Sequence, residues 1–284
     1  MTQTLEPGTF VGDWTAWQAE RERQRREPHG FLAYRDVHFL TAEPQAFTGV
    51  PGRWTTGQEG PAVELGPGET LTVDGHEIGG RHVFGPVAER EFRRAATLRD
   101  GDVVLELSKR GGRDLLRPLD PANGLRADYI ETPAYAPDPA WVIEAELERH
   151  PAARPQRIRA AVEGIEHVHD ALGEIVFRHE GAEHRLVVLA YDRADDRADE
   201  LGIVLFRDAT SGVTTYGASR SLLVTLPAAG ERRLVLDLNR AQNLQCAYTD
   251  HAPCPLAPAS NHLPFAVEAG ERIPTFHSGR EATR

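Results

Sequence analysis

After Gly30 the chain is a succession of short apolar runs separated by glycine- and aspartate-containing turns, and this punctuation constrains the fold more than any other feature. The run at 71–73 leads into Asp74-Gly75, a dipeptide that favours a tight two-residue hairpin. Runs at 95–98 and 103–107 flank a second turn. Strands and turns at this spacing are typical of a β-sandwich or a β-barrel.

One helix and a second group of strands complete the predicted architecture. The segment Asp13–Glu27 predicts a helix that ends at Pro28-His29-Gly30, since proline and glycine stop helices. Further strand-like runs lie at 62–65, 141–147, 175–177, 186–190, 203–206 and 234–236. Residues 193–200 form a charged interruption that predicts a loop or a short helix. We therefore expect a mainly β protein, a sandwich or barrel with an N-terminal helix.

The proline-rich stretch 132–139 is the best candidate boundary, which allows two β subdomains. The predicted organisation is a helical arm at 1–30, β subdomains at 31–135 and 136–278, and a frayed tail at 279–284. Clefts where such subdomains meet are common ligand sites.

Composition and charge exclude several classes of protein. The chain has 284 residues and 40% hydrophobic residues, enough to bury a core without disulfides or metals. Its net charge of −11 and the absence of a basic block argue against nucleic-acid binding, which relies on cationic side chains. Lys109 is the single lysine, so only one residue could form a Schiff base. No signal-like or membrane-spanning run is present, and we expect a cytoplasmic protein without a membrane partner.

Several segments carry a family resemblance, and the C-terminal ones are the most specific. They are the Trp14 helix, Lys109–Arg113, Arg117 with Asp120, Tyr135–Trp141, Phe206–Tyr216, Leu236–Asn243 continuing through Cys246 to Cys254-Pro255-Leu256, Asn261–Pro264 and Glu268–Glu271. Together these segments, spread from Trp14 to Glu271, resemble the bacterial family of unknown function numbered 1684. The chain has Leu244-Gln245 and Ala257-Pro258 where the family pattern has proline pairs, so its loop is less rigid. The family has no established function, and the resemblance therefore implies no mechanism.

Polar side chains in these segments suggest a pocket for a small anionic molecule. Asp237, Asn239, Arg240 and Asn243 crowd the end of an apolar strand, where Arg240 would bind a carboxylate or phosphate. The alternative is a hydrogen-bond network that pins an irregular loop to the sheet.

Two turn segments add further candidates to this pocket. Arg110 and Arg113 flank two glycines that would let an anion approach the backbone, although a plain hairpin turn explains the same pattern. Asp208 and Tyr216 would face the pocket as an acid/base pair, or belong to a β-turn. The leading hypothesis is a polar ligand site with no assigned reaction or cofactor, formed by Arg110, Arg113, Asp208, Tyr216, Asp237, Asn239, Arg240 and Asn243. Whether the protein is an enzyme, and its oligomeric state, stay open, with a non-enzymatic interaction module as another alternative.

A metal-dependent enzyme is the competing hypothesis, with two possible ligand sets. His167, His169 and Glu174 match half of a cupin motif, and two histidines with a carboxylate suit iron or a similar metal. Cys246, His251 and Cys254, with His262 beyond, supply ligands for a tetrahedral zinc site at an uncommon spacing. The alternatives for the cysteines are buried structural thiols, a disulfide, or a nucleophile at Cys246. For the histidines, the alternative is exposure in a turn.

Overall fold

Two units, each assembled from separate stretches of sequence, make up the computed structural model, which describes residues 7–98, 101–191 and 200–279. By its internal contacts, unit 1 takes in Met1–Arg23, Tyr129–Tyr248 and Cys254–Arg284, and unit 2 takes in Gln24–Asp128 and Thr249–Pro253. The predicted loop at 193–200 and the predicted frayed tail fall almost entirely outside the described residues.

Helix α1 (Pro7–Arg25) begins earlier and ends earlier than the sequence predicts. Trp14, Gln18 and Glu22, each four residues apart, lie on one face and attach the helix to unit 1. Trp14 Nε1 donates to the carbonyl of Asn239 at 3.0 Å, and Gln18 Nε2 donates to the carbonyl of Thr132 at 3.2 Å. The Glu22 carboxylate accepts from the hydroxyl of Tyr129 at 2.8 Å. In the described ranges no helix is long and apolar enough to cross a membrane.

Unit 2 is a sandwich of two antiparallel sheets. Its elements are β1 (His38–Phe39), β2 (Gln45–Phe47), β3 (Val50–Thr55), β4 (Ala62–Glu64), β5 (Leu71–Val73), β6 (His76–Ile78), β7 (Arg81–Val83), β8 (Phe92–Thr97), β9 (Val104–Arg110), β10 (Arg113–Leu119) and the short helix α2 (Gly124–Asp128). The six-stranded sheet has the order β1-β10-β9-β8-β5-β6, and the four-stranded sheet has the order β2-β3-β4-β7. Apolar side chains of both sheets share one core that includes Trp54, Val63, Leu105 and Leu107.

Tight turns fix the pairing of strands in this sandwich. Asp74 and Gly75 join β5 to β6 with φ of 49° and 79°, and Gly111 and Gly112 join β9 to β10 with φ of 57° and 73°. Two consecutive positive φ angles define the turn type whose twist matches that of paired strands, and glycine adopts it without steric cost. The predicted hairpin at Asp74-Gly75 is confirmed.

Unit 1 is built on a seven-stranded antiparallel sheet of order β17-β12-β13-β14-β15-β16-β18, with β11 and β19 paired separately. Its strands are β11 (Tyr129–Glu131), β12 (Val142–Arg159), β13 (Glu166–His179), β14 (Ala182–Ala190), β15 (Leu201–Phe206), β16 (Arg220–Thr225), β17 (Arg233–Asp237), β18 (Gln242–Asn243) and β19 (Thr275–Phe276). β12 is much longer than the predicted run at 141–147. Its pairing with β17 ends at Glu146, so Pro151 and Pro155 lie on an edge where proline removes no ladder hydrogen bond.

The inner face of this sheet packs against the C-terminal segment rather than against a second sheet. Leu147, Ile175, Phe206 and Leu236 share a core with Leu263 and Val267. The predicted mainly β fold with an N-terminal helix is therefore confirmed, and among the strands that the structure describes no sheet closes into a barrel.

Asn261 fastens the C-terminal segment where β14 and β15 separate. The two strands pair only at Leu189 with Ile203 and at Ala190 with Gly202. Beyond that point the Asn261 amide replaces the missing ladder. Its Oδ1 accepts from the Val187 N–H at 2.8 Å, and its Nδ2 donates to the carbonyls of Val187 and Leu205, each at 2.9 Å. A single side chain thus satisfies three main-chain groups.

Candidate functional site

Asn239 uses its side chain to hold two loops of unit 1 together. Its Oδ1 accepts from the Asp138 N–H at 2.9 Å, while Nδ2 donates to the Asp138 carbonyl at 2.9 Å and to Asp237 Oδ1 at 3.0 Å. Asn239 is 1% exposed. These bonds occupy the amide fully, as the loop-pinning alternative from the sequence expects.

Arg240 lies beside it and is partly exposed. Its Nε donates to Asp237 Oδ2 at 3.1 Å, and its guanidinium lies 5.7 Å from the centre of the Trp17 ring. The side chain is 39% exposed. The Asp237 carboxylate neutralises the charge of Arg240, which weakens its attraction for an external anion.

Asp208 is part of a buried ion pair that the sequence did not reveal. Its Oδ2 accepts from Arg220 Nη2 at 2.8 Å, and both side chains are 0% exposed. Asp208 Oδ1 accepts from the N–H and the hydroxyl of Thr210, at 2.8 and 2.6 Å, and from the Val267 N–H at 3.2 Å. The carboxylate accepts four hydrogen bonds in all, so Asp208 is occupied in holding its surroundings.

Arg220 carries the other half of this arrangement. It donates to the carbonyls of Val267 at 3.0 Å, Ala269, and Glu271 at 3.4 Å. Burial lowers the pKa of Arg220, and the charge of Asp208 opposes that shift. The pair therefore fastens residues 267–271 to β16. The only sequence signal for Arg220 is a charged residue at the start of an apolar strand, which alone does not indicate burial.

Asn243 and Glu271 extend the same network. The Asn243 N–H donates to Glu271 Oε2 at 2.7 Å, and Asn243 Nδ2 donates to the carbonyl of Arg272 at 2.8 Å. Glu271 is 0% exposed. In this block, Asp208, Asn239 and Asn243 are all engaged in joining the C-terminal segment and its loops to the sheet.

Tyr216 is buried and lies beside Cys246. Its hydroxyl interacts with the Cys246 thiol, and Cys246 and Cys254 are not joined by a disulfide. The Cys246 N–H donates to Cys254 Sγ at 3.3 Å. The hydrogen bond with Cys254, followed by burial, raises the pKa of Cys246, which disfavours the thiolate that a nucleophile needs.

The proposed metal ligands on β13 are placed on different faces of that strand. His167 and His169 are two residues apart, so both side chains lie on the buried face of β13, with ring centres 6.0 Å apart. Glu174 lies on the opposite face of that strand and accepts from Arg185 at 3.1 Å. Within residues 7–98, 101–191 and 200–279, no three His, Cys, Asp or Glu side chains are grouped to hold a metal ion.

Arg110 and Arg113 stand directly opposite each other across the β9–β10 hairpin of unit 2. Like charges in this position destabilise a sheet. Glu89 partly compensates, because its carboxylate accepts from the N–H groups of Gly111 and Gly112 at 2.7 and 2.8 Å. An internal carboxylate thus already occupies the glycine amides, and two arginines with one glutamate leave one positive charge in excess at the turn.

Arg110 is partly buried and Arg113 is exposed. Arg110 Nη1 donates to the carbonyls of Glu91 and Lys109, at 3.0 and 2.7 Å. Its pKa is lowered first by burial and next by the charge of Arg117. Arg117 itself forms a buried ion pair with Glu106, and Lys109 lies 3.3 Å from Asp114. Among the described residues, neither hairpin arginine forms a side-chain ion pair of the kind made by Arg117 and Lys109.

Two phenylalanines flank these arginines on the outer face of the six-stranded sheet. The Arg113 guanidinium lies 4.3 Å from the centre of the Phe39 ring. Phe92 stands opposite Ser108, diagonal to Arg110, and is 49% exposed. We call Phe39, Phe92, Arg110 and Arg113 the arginine–phenylalanine patch. Neither phenylalanine was singled out from the sequence, since nothing in a short β-strand marks an exposed aromatic residue.

A shallow groove of about 310 Å³ lies elsewhere on unit 2, over the four-stranded sheet. Arg53, Glu64 and Arg81 form a row across it, with Glu64 between the two arginines. Arg81 also binds Glu59 at 3.0 Å. Opposite charges alternate here, so the groove lacks the excess positive charge of the arginine–phenylalanine patch.

Comparisons with known proteins identify a family without a function. A model of a protein family of unknown function, DUF1684, matches residues 127–272. This range contains the C-terminal block but neither the Trp14 helix nor the Arg110–Arg113 turn. No match was found among curated proteins. One similar solved structure is the solution NMR structure of an uncharacterized protein from Haloarcula marismortui, 28% identical, with a TM-score of 0.43, covering 52% of this chain and 78% of that one.

Proposed function

Because this chain belongs to the DUF1684 family of proteins of unknown function, only its own geometry can suggest an activity, and we propose that it binds a small anionic molecule at the arginine–phenylalanine patch. The observation that carries the proposal is the pair of facing arginines whose charge Glu89 compensates only in part. The reaction, if there is one, is unassigned.

The chemistry of the patch favours a carboxylate or phosphate group attached to an apolar body. Guanidinium groups bind both anions with two parallel hydrogen bonds. In the described part of the chain, Nε and Nη2 of Arg110 have no hydrogen-bond partner and remain available. Phe39 and Phe92 offer apolar surface on either side. An anion between the arginines would also relieve their mutual repulsion, so binding gains from an arrangement that is unfavourable in the empty protein.

Only part of the ligand site predicted from the sequence enters this proposal. Asp208, Asn239 and Asn243 form the internal bonds described above, and Arg240 is paired with Asp237. Their capacity to bind a further molecule is small because a new ligand would have to break existing hydrogen bonds. Arg110 and Arg113 require no such exchange.

The test is a titration of the full-length protein with phenyl phosphate. Binding is measured by isothermal titration calorimetry and by the changes in the amide NMR shifts of Gly111 and Gly112. A hydrogen bond to a charged group contributes about 1.5–3 kcal/mol. Replacing both arginines, Arg110→Gln with Arg113→Gln, should therefore weaken binding roughly tenfold or more. Inorganic phosphate should bind more weakly than phenyl phosphate, because it makes no contact with the phenylalanines.

Two control variants test whether binding depends on the hairpin arginines in particular. Arg81→Gln removes an exposed, ion-paired arginine of the same unit, and Arg240→Gln removes the arginine of the C-terminal block. Both should leave the affinity unchanged. Equal binding by the double hairpin variant, or loss of binding with Arg240→Gln alone, would show that the patch is not the site.

A further inference from the structure

The two cysteines of unit 1 are in direct contact, although seven residues separate them in the sequence. Cys246 lies in a short 3-10 turn, Gln245–Ala247, and its N–H donates to Cys254 Sγ at 3.3 Å. The two thiols also hydrogen-bond to each other. Cys246 is 3% exposed, whereas Cys254 is partly exposed.

The sulfur contact is short enough for a disulfide to form. Adding the N–Cα bond of about 1.5 Å to the 3.3 Å contact places Cys254 Sγ within roughly 4.8 Å of Cys246 Cα. This position is compatible with the Cα separation of about 4.4–6.8 Å that a disulfide requires. The main chain on both sides is held, since the Ala161 N–H donates to the Cys254 carbonyl at 2.8 Å and the Tyr248 N–H to the Gln245 carbonyl at 3.0 Å.

We infer that Cys246 and Cys254 are a redox site that interconverts between a dithiol and an intrachain disulfide. The oxidant class is a low-molecular-weight disulfide such as oxidised glutathione. The Cys254 thiolate attacks one sulfur of that disulfide, the S–S bond breaks, and one glutathione thiolate leaves. The Cys246 sulfur then attacks Cys254 Sγ while its proton passes to the departing glutathione sulfur, and the second glutathione leaves as a thiol. The protein loses two electrons and two protons, and one glutathione disulfide becomes two thiols.

Exposure sets the order of these steps. Cys254 is accessible enough to meet an external disulfide, whereas Cys246 is enclosed and lies against Cys254. Oxidation closes a covalent ring that contains residues 247–253 between the two cysteines. The disulfide would therefore restrict the conformations available to these residues.

The experiment equilibrates the full-length protein in glutathione buffers from reducing to oxidising, then quenches with acid, alkylates remaining thiols and measures intact mass. We expect both alkylated thiols to disappear together in one transition that dithiothreitol reverses. Cleavage after Tyr248, which lies between the cysteines, should give two peptides that separate only after reduction. Persistence of both thiols in the most oxidising buffer, or linkage between two chains, would overturn the inference.

Single variants test the order of attack. Cys246→Ser should stop at a mixed disulfide between Cys254 and glutathione, whereas Cys254→Ser should leave Cys246 unmodified. Circular dichroism establishes that each variant is folded, with Cys246→Ala as the substitute if serine is not tolerated at that buried position. Modification of Cys246 in folded Cys254→Ser would contradict the assignment of Cys254 as the entry point.

Discussion

Arg220 in unit 1 and Arg113 in unit 2 both lie at an end of a β-strand, yet they have opposite environments. Arg220 is fully buried, paired with Asp208, and bonded to carbonyl groups of residues 267–271. Arg113 is exposed, faces Arg110, and has a phenylalanine ring as its nearest partner. The contrast shows that a polar segment that stands out in the sequence does not necessarily have side chains available to bind a ligand.

The two arginines differ because the segments around them satisfy their main-chain hydrogen bonds in different ways. The C-terminal segment of unit 1 covers a large sheet without regular pairing of its own, so its main-chain groups need side-chain partners. Arg220, Asn239 and Asn261 provide them. The hairpin of unit 2 satisfies its main chain through the ladder and through Glu89. Its arginines therefore hold no distant segment in place: Arg110 bonds to two carbonyls near the hairpin, and Arg113 stays exposed beside Phe39.

The largest expected effect comes from breaking the buried pair in unit 1. Arg220→Met leaves the Asp208 carboxylate buried without its counter-ion, which should lower the free energy of unfolding by about 3–5 kcal/mol. Urea denaturation measures it. The double variant with Asp208→Asn should recover part of the loss, since no charge then stays unpaired. A loss for Arg220→Met below about 1 kcal/mol would contradict the fastening role of this pair.

A smaller loss is expected from Asn261→Ala, which removes three hydrogen bonds to main-chain groups of β14 and β15. Leaving buried donors and acceptors unsatisfied costs about 1–3 kcal/mol for each group. We expect a loss of about 2–3 kcal/mol in total, measured by the same urea denaturation. Asn123→Ala in unit 2 is a matched control, because this partly exposed amide also makes three main-chain bonds. Its Nδ2 donates to the carbonyls of Leu32 and Tyr34, and its Oδ1 accepts from the Leu125 N–H. Equal losses for both variants would mean that the junction of β14 and β15 has no special importance.

Arg113→Gln should leave stability almost unchanged, within about 0.5 kcal/mol of the parent protein. A slight gain at low salt is the expected sign, because the substitution removes a like charge opposite Arg110. The gain should shrink as salt screens the remaining charges. A substantial loss of stability in urea would place Arg113 with Arg220 among the fastening residues and would remove the contrast between the two units.

The smallest effect concerns Arg185, a surface arginine surrounded by three carboxylates. Its hydrogen bond lowers the pKa of Glu148 below the ordinary range for a glutamate. Glu148 therefore adds stability above its unfolded pKa, and that contribution disappears as pH falls through the depressed folded pKa. NMR titration of Arg185→Gln should show the pKa of Glu148 raised back toward its ordinary value. No change in that pKa would mean that the exposed ion pair is not formed in solution.

The sequence by itself determined the local features of this fold. Asp74-Gly75 specified a hairpin because the turn needs two positive φ angles, and the alternation of apolar residues specified strands. The helix containing Trp14 was also predicted, although its ends were displaced. The loop-pinning alternative for Asn239 followed from the tendency of asparagine to bond nearby main chain, and the hydrogen bonds agree with it.

Tertiary structure alone decided which polar groups meet. Glu174 lies seven positions beyond His167, an odd offset, and the burial pattern of β13 places the two side chains on opposite faces. Asp208 and Arg220 are joined across β15 and β16, and unit 2 acquires Thr249–Pro253 from far along the chain. The physical reason is that turns and periodicity depend on neighbours in sequence, whereas burial and pairing of charge depend on contacts between segments that only the folded chain brings together.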